Sequence, residues 1–252
     1  MDREASASHT EAVIRTLLLS DLVGSTEMLR KLGDARAASL FAQHDHMARA
    51  LLAKHDGREI DKTDGFLLLF DRPINAVLYA IEYHRALAQL ARDIKVPVAS
   101  RVGIHLGEVM LRENPPEDIA RGAKPLEVEG LAKPLAARVM SLASAGQTLM
   151  TRGAFDLARR AAVDASGLEG ELCWLAHGGY LPKGMDEPID IFEVGIEGEA
   201  PLKAPPDSDK VRRVVGDGTI TGWRPGPGLE IPERPHWRIE DKLGEGGFGE
   251  VW

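Results

Sequence analysis

The feature that most constrains the fold is the alternation of short apolar runs with amphipathic segments between residues 15 and 195. The apolar run at 16–22 predicts a buried strand, and the alternation at 98–110 predicts a half-buried strand. Apolar residues at helical spacing predict helices, including a long one at 34–55. The order of these elements predicts an α+β fold, with a mainly antiparallel sheet covered by helices.

Turn signals place further elements along the chain. Asp64-Gly65 separates two predicted strands, 58–63 and 66–70, and Asp-Gly is a preferred hairpin turn. A polar loop is predicted at 112–129. A helix from about Leu131 to Ala145 and a strand at 147–151 are expected to follow it.

Composition divides the chain into segments. Residues 1–14 are small and polar and predict a disordered N-terminal tail, so the folded domain is expected at 15–196. Seven of the 15 prolines lie between Glu197 and Trp237, which predicts an extended linker at 197–236. Residues 237–252 form a separate final segment.

Charge and cysteine content exclude several kinds of protein. The net charge of −8 argues against non-specific binding to nucleic acid or to an anionic membrane. The single cysteine, Cys173, excludes an internal disulfide framework. No stretch approaches the roughly 18 apolar residues of a membrane span, and the N-terminus does not resemble a secretory signal. A cytoplasmic location is therefore expected.

An acidic residue, Asp21, ends the first apolar run. A carboxylate there must be hydrogen-bonded, paired or bound to metal, because burying it bare is costly. The following residues, 22–26, lead into a helix N-terminus, whose amides and dipole favour phosphate. Asp21 and Asp64 have simpler explanations as turn residues. If they converge in one sheet, however, they form a two-metal site for phosphoryl chemistry.

Four segments together resemble the catalytic domain of class III adenylate/guanylate cyclases: 18–26, 62–66, 101–109 and 135–138. The resemblance covers about residues 15–195. It implies a ferredoxin-like α+β fold and a head-to-tail homodimer with composite active sites. It also implies conversion of ATP or GTP to a cyclic 3′,5′-nucleotide and pyrophosphate, in intracellular signal transduction.

The same resemblance assigns roles to individual residues. Two Mg²⁺ or Mn²⁺ ions per site are expected at Asp21, Asp64 and Leu22. The nucleotide-binding positions it implies are Val23, Gly24, Ser25, Thr26, Lys62 and Glu127. Arg138 matches the arginine that stabilises the transition state, and Lys183 matches a lysine that binds the triphosphate.

The residues around Arg138 bear on its role independently. At about 100° per residue, Arg138 falls within a stripe formed by Leu131, Leu135 and Leu142. A guanidinium in an apolar stripe needs an anionic partner. The alternatives are that Arg138 reaches the surface or pairs with a nearby glutamate.

Three positions depart from the family pattern. Pro134 replaces an asparagine that orients the ribose, and it offers no side-chain hydrogen bond. Only Thr63 separates Lys62 from Asp64, whereas the family has three residues between its base-selecting lysine and the second metal aspartate. Glu127 stands where aspartate or threonine is usual. These departures favour an alternative: a weak or inactive module that dimerises or binds nucleotide and regulates a downstream protein kinase.

The final segment resembles the first strand and Gly-rich loop of a protein kinase. The residues that carry this resemblance are Gly244, Gly246, Gly249 and Val251. The sequence stops before any catalytic loop, so we expect it to be the front of a longer cyclase–linker–kinase protein.

One further motif, His44-Asp45-His46, suggests a metal site at first inspection. Residues at i and i+2 on a helix point apart, so we interpret this run as a solvated helix face.

Overall fold

The computed structural model describes residues 10–164, 169–183, 185–206, 211–214, 226–230, 237–246 and 249–251. The strands are β1 (Thr10–Leu22), β2 (Arg58–Lys62), β3 (Phe66–Phe70), β4 (Ser100–Glu113), β5 (Leu126–Glu129), β6 (Thr148–Thr151), β7 (Leu172–Pro182), β8 (Ile189–Ile196), β9 (Val211–Arg213), β10 (Gly244–Gly246) and β11 (Gly249–Val251). The helices are α1 (Ser25–Leu32), α2 (Asp34–Lys54), α3 (Pro73–Ile94), α4 (Pro116–Ile119), α5 (Ala132–Leu142) and α6 (Arg152–Ala161), followed by a 3₁₀ turn (Ala162–Asp164).

One mixed, mostly antiparallel sheet organises the domain. Its strand order is β2-β3-β1-β4-β6-β8-β7-β9, and β5 pairs with β4 beside this path. The β4–β6 pair is parallel, whereas β1 pairs with both β3 and β4 in the antiparallel sense. The α+β architecture expected from the sequence is therefore confirmed.

Helices cover both faces of the sheet, and β3 shows why its residues form an unbroken apolar run. All five residues of β3 are buried. Phe66 and Phe70 pack in a core with α2, α3 and α6, whereas Leu67 and Leu69 pack in a second core with α5. Because side chains alternate between the faces of a strand, a strand covered on both faces is apolar throughout.

Residues 10–14 of the predicted N-terminal tail belong to a strand, because β1 begins at Thr10. Thr10 pairs with Arg112, so the first half of β1 is held by the long strand β4. This backbone pairing needs no apolar pattern, which is why composition alone suggested disorder. Residues 1–9 lie outside the described part of the chain.

The polar loop predicted at 112–129 contains regular structure. It includes α4 and β5, and β5 pairs with β4 through Met110 and Glu129. Leu126 and Val128 are buried in the α5-side core. A strand of four residues gives too little alternation to stand out from the surrounding prolines and charges.

The first part of the predicted linker packs on the sheet. Strand β9 pairs with β7, with Val211 opposite Pro182. The backbone N–H of Leu202 donates to Glu193 Oε1 at 2.9 Å, and the Tyr180 hydroxyl donates to the Pro205 carbonyl at 3.1 Å. Proline at a sheet edge or in a surface segment does not prevent such docking. The proline content therefore did not show that this part of the segment is an extended linker.

The predicted kinase-like segment forms a small separate sheet. Strands β10 and β11 are antiparallel, with Gly244 opposite Val251 and Gly246 opposite Gly249. The two residues between them lie outside the described part of the chain. The kinase assignment of this segment stays a prediction.

Candidate functional site

The turn of the β2–β3 hairpin lies directly against the end of β1. A Cβ atom added at Gly65 would lie 1.8 Å from the Ser20 carbonyl oxygen and 2.8 Å from the Asp21 Cα. No side chain fits at that distance, so glycine is required here by close approach of two backbones. This contact places Asp64, the preceding residue, beside Asp21.

Asp64 accepts hydrogen bonds from two neighbouring hydroxyl groups. The Ser25 hydroxyl donates to Asp64 Oδ2 at 2.8 Å, and the Thr63 hydroxyl donates to Oδ1 at 3.3 Å. Partial desolvation opposes ionisation of Asp64, but the bonds from Ser25 and Thr63 and its own backbone N–H hold the pKa of Asp64 below its ordinary value. Asp64 is therefore ionised at neutral pH, and it lies next to the strand end that carries Asp21.

Arg101 neutralises part of this negative charge. It lies opposite Asp21 in the β1–β4 register, and its Nε donates to Asp21 Oδ2 at 2.8 Å. Its Nη2 donates to the same oxygen, which leaves Asp21 Oδ1 with no protein donor among the described residues. Arg101 was not among the site residues predicted from the sequence, although its position on the polar side of a half-buried strand was a usable signal.

The turn after Asp21 presents an uncapped helix N-terminus. Gly24 has φ +70° and ψ 25°, a left-handed conformation that favours glycine. Helix α1 begins at Ser25, and no side chain caps it. Its first-turn N–H groups are therefore available to an anion, and the positive end of the helix dipole favours one.

The donor atoms at this site suit a hard divalent cation. Asp21 Oδ1, the Asp64 carboxylate and the Leu22 carbonyl are all oxygen ligands of the kind that Mg²⁺ and Mn²⁺ prefer. The described part of the chain contains no group of three or more His, Cys, Asp or Glu side chains able to hold a metal. Two carboxylates fit a cation that takes its other ligands from water and phosphate oxygens.

A cleft of about 180 Å³ opens beside the acids. Ser20 and Asp21 line one side of it, and Lys133 and Met140 of α5 line another. The cleft therefore has Asp21, at the end of β1, and the lysine Lys133 in its lining.

Lys62 is directed toward helix α2. Its ammonium lies 2.8 Å from Asp45 Oδ2 on α2. The neighbouring Asp61 instead pairs with Lys124. An irregularity in the β2–β3 register between Glu59 and Asp61 accompanies this arrangement. The predicted base-selecting ammonium thus already has an anionic partner.

Glu127 and Lys183 lie toward the end of the sheet opposite Asp21. Glu127 pairs with Arg112 of β4, whereas Asp21 pairs with Arg101, so about 35 Å of strand separates the two levels. Lys183 follows the end of β7 and is exposed. One copy of the chain therefore does not bring these two residues to its own acid pair.

Arg138 lies on α5, and its surroundings differ from the predicted stripe. The buried face of α5 consists of Ala132, Ala136, Val139 and Leu142. Leu131 precedes the helix and is 87% exposed, whereas Leu142 of the predicted stripe is buried. Arg138 is half-buried, and its guanidinium has no hydrogen bond or ion pair within the described ranges. Pro134 is exposed.

Comparisons with known proteins agree with this fold. The adenylyl cyclase CyaB from P. aeruginosa superposes with a TM-score of 0.65 at 18% identity, covering 74% of this chain and 95% of that structure. The guanylyl cyclase Cya2 superposes with a TM-score of 0.61 at 22% identity, covering 77% and 98%. The domain therefore has the fold of class III adenylyl/guanylyl cyclase domains.

Sequence comparison gives a weaker link. The chain is 29% identical over 191 residues to the serine/threonine-protein kinase pkn2 of Myxococcus xanthus. The match covers 74% of this chain but spans only a fifth (20%) of that relative. No model of a known protein family matches the chain. Within the described ranges, no helix has both the length and the apolar character needed to cross a bilayer.

Proposed function

We propose that this chain is a nucleotidyl cyclase that converts ATP or GTP to a cyclic 3′,5′-nucleotide and pyrophosphate. The observation that carries the proposal is the close approach of the Asp64-Gly65 turn to Asp21, beside the uncapped N-terminus of α1. Two neighbouring carboxyl groups beside free helix amides are suited to a cation-bound polyphosphate.

The reaction needs one bond to form and one to break. The 3′-hydroxyl oxygen bonds to the α-phosphorus and loses its proton, while the bond to the β-phosphate oxygen breaks and pyrophosphate leaves. Asp21, Asp64 and the Leu22 carbonyl would hold Mg²⁺ or Mn²⁺, which activates the hydroxyl and neutralises phosphate charge. The amides of residues 24–26 would hold the polyphosphate in place, since the Val23 N–H already donates to the Ala99 carbonyl.

A second copy of the chain would complete the site. Glu127 and Lys183 lie far from Asp21 in one copy, and the Arg138 guanidinium has no described partner. In a two-fold dimer with the chains head to tail, these residues of one copy face the acids of the other. Arg138 would then contact the transferring phosphoryl group and Lys183 the leaving pyrophosphate.

Complementation between inactive variants tests both the reaction and the dimer. Purified chain with Mn²⁺ and either ATP or GTP is expected to form cyclic nucleotide, measured by mass spectrometry. Asp21→Asn and Arg138→Ala should each be inactive. Their equimolar mixture should recover about a quarter of wild-type turnover, because half of the dimers are mixed and each has one intact site. Asp118→Asn and Arg121→Ala, an exposed pair on and after α4, are matched controls.

A regulatory module is the second candidate. The diversion of Lys62 to Asp45 and the exposed Pro134 weaken recognition of base and ribose. The pairing of β9 with β7, just before Lys183, offers a route by which nucleotide binding alters the following segment and a downstream kinase. Binding of ATP or GTP without product, even at concentrations that force dimerisation, would favour this candidate over the cyclase.

A further inference from the structure

A buried chain of polar side chains connects the hairpin to the end of β1. It begins at Lys62, two residues before Asp64, whose ammonium lies 2.8 Å from Asp45 Oδ2. The other carboxylate oxygen of Asp45 lies 3.1 Å from His44 Nδ1. His44 Nε2 lies 2.7 Å from the Tyr83 hydroxyl. This series of side-chain contacts therefore runs from β2 through α2 to α3.

The far end of this chain reaches the residues that flank Asp21. Burial raises the pKa of Tyr83, and a hydrogen bond from Ser20 opposes that rise. Ser20 immediately precedes Asp21, and its hydroxyl accepts the Phe66 N–H at 3.1 Å. The Ser100 hydroxyl donates to the Asp21 carbonyl at 2.9 Å. Both serines therefore hold the backbone that carries Asp21.

The protonation states in this chain follow from its chemistry. A carboxylate can only accept hydrogen bonds, so His44 donates from Nδ1 to Asp45 and accepts at Nε2 from Tyr83. Burial lowers the pKa of His44, so the ring is neutral at neutral pH. His44 is 1% exposed and Tyr83 is fully buried. The run His44-Asp45-His46 was thus wrongly interpreted as solvated, because His44 faces the core between α2 and α3.

We propose that these side chains act as a positioning relay that sets the relation of the two acids; its members are Lys62, Asp45, His44 and Tyr83. The positioning relay fixes the hairpin that carries Asp64 relative to the strand end that carries Asp21. It does so from the face of the sheet that α2 and α3 cover. Lys62 accordingly serves cation binding and not recognition of the base. This inference rests on the proposed function, in which the two acids bind a divalent cation.

The geometry favours this role over base recognition for two reasons. The Lys62 side chain is 28% exposed and its partner Asp45 is 16% exposed, so separating this pair to contact a base would leave a poorly hydrated carboxylate. The remaining links, from His44 to Tyr83, are buried and have partners at both ends. Removing a group that orients a metal ligand without contacting the metal typically lowers metal affinity by about 10- to 100-fold.

The test measures binding of Mn²⁺ alone to the whole chain, by electron paramagnetic resonance of the free ion. Lys62→Met and Tyr83→Phe should each raise the Kd for Mn²⁺ by about tenfold. Lys62→Arg keeps the charge and should restore the affinity. Lys54→Met is the matched control, because Lys54 of α2 also forms an ion pair, with Glu82 of α3 at 2.8 Å, but at an exposed position.

A second readout separates positioning from base selection. The ratio of kcat/KM for ATP and GTP should be the same in wild type and Lys62→Met. A changed ratio with unchanged Mn²⁺ affinity would overturn the inference, as would unchanged Mn²⁺ affinity in a folded Lys62→Met. If Tyr83→Phe does not fold, Lys62→Met decides the test, because its side chain is partly exposed.

Failure of the proposed function gives a different pattern. Mn²⁺ binding that is lost in Asp21→Asn, without any cyclic product, would reject the cyclase but leave the positioning relay supported by Mn²⁺ affinities. A wild-type chain that binds no Mn²⁺ at Asp21 would reject both.

Discussion

Two carboxylate clusters in the sheet differ in how many hydrogen-bond donors the protein supplies to their oxygen atoms. Glu193, on β8, is fully buried and accepts hydrogen bonds from three donors: His177 Nε2 at 2.7 Å, Gln147 Nε2 at 2.8 Å and the Leu202 N–H at 2.9 Å. Asp21 and Asp64 instead lie close together at an open end of the sheet, with one cation, Arg101, and hydroxyl donors around them.

The difference distinguishes a structural cluster from a binding cluster. The Glu193 cluster is closed, because its carboxylate is saturated by internal donors and fastens the segment after β8 to the sheet. The Asp21–Asp64 cluster is open, because Asp21 Oδ1 and the neighbouring helix amides have no protein partner in the described residues. Removing a group from the closed cluster should cost stability, whereas removing one from the open cluster should cost ligand binding.

The largest expected effect is on the open cluster. Asp64→Asn should lower turnover by roughly a hundredfold, because loss of one carboxylate removes charge and a ligand from a two-carboxylate site. Its free energy of unfolding should change by less than about 1 kcal/mol, because Asp64 is exposed. Steady-state assays and urea unfolding check the two values. Wild-type turnover in Asp64→Asn would show that the acid pair is not the active site.

Gly65→Ala should affect both stability and the acid pair. The added Cβ would overlap the Ser20 carbonyl oxygen, so the hairpin must move away from β1. We expect a loss of about 3 kcal/mol in the free energy of unfolding and weaker Mn²⁺ binding. Gly153→Ala is the control, since its Cβ would meet only Leu106 at 3.9 Å. In helix α6 that change should be neutral or stabilising by up to about 1 kcal/mol.

Glu193→Gln tests the closed cluster. One of the three donors would lose a good acceptor in a buried site, so the free energy of unfolding should fall by about 2 kcal/mol. Mn²⁺ affinity should be unchanged. Glu59→Gln, which breaks a surface pair with Arg49, should cost less than about 1 kcal/mol. A Glu193→Gln chain with wild-type stability but weakened Mn²⁺ binding would show that Glu193 serves ligand binding and not stability.

The smallest expected effect is a pH-dependent one at Ser25. The pKa of Asp64 in the folded chain lies below the ordinary value of 3.8, so its stabilising contribution is present above that pH and is lost as the pH falls through the folded value. Ser25→Ala removes a donor and should raise the pKa of Asp64. The variant should therefore be less stable by about 0.5 kcal/mol near neutral pH.

At acid pH, below both pKa values of Asp64, the Ser25→Ala and wild-type curves should converge. Urea unfolding at a series of pH values measures this difference. A gap that persists at low pH would mean that Ser25 acts through packing or helix α1 and not through the ionised carboxylate.

Local patterns predicted the elements nearest the open cluster. Asp21 at a strand end, Gly24 before a helix and Asp64-Gly65 in a hairpin are signals within a few residues of one another, and the fold contains each of these elements. Arg101 escaped selection because its importance depends on cross-strand register with Asp21, 80 residues earlier. Pairing between strands distant in sequence leaves little mark on either strand alone.

The closed cluster and the positioning relay were beyond the reach of such patterns. Glu193 lies in a strand of otherwise apolar residues, and its partners come from positions 147, 177 and 202. His44 was misjudged because residue spacing says which face of a helix a side chain occupies, but not which neighbour covers that face. The docking of β9 was missed for the same reason, since the edge of β7 that receives it is formed only in the folded sheet.

The sequence by itself determined the α+β order of elements, the turn glycines and the identity of the acidic pair, because these depend on interactions between near neighbours. Only the tertiary structure decided that the two acids lie close together, that Arg101 faces one of them and that Lys62 turns toward Asp45. Those outcomes depend on strand register and on a register irregularity in β2, and a shift of one residue there sends a side chain to the opposite face of the sheet.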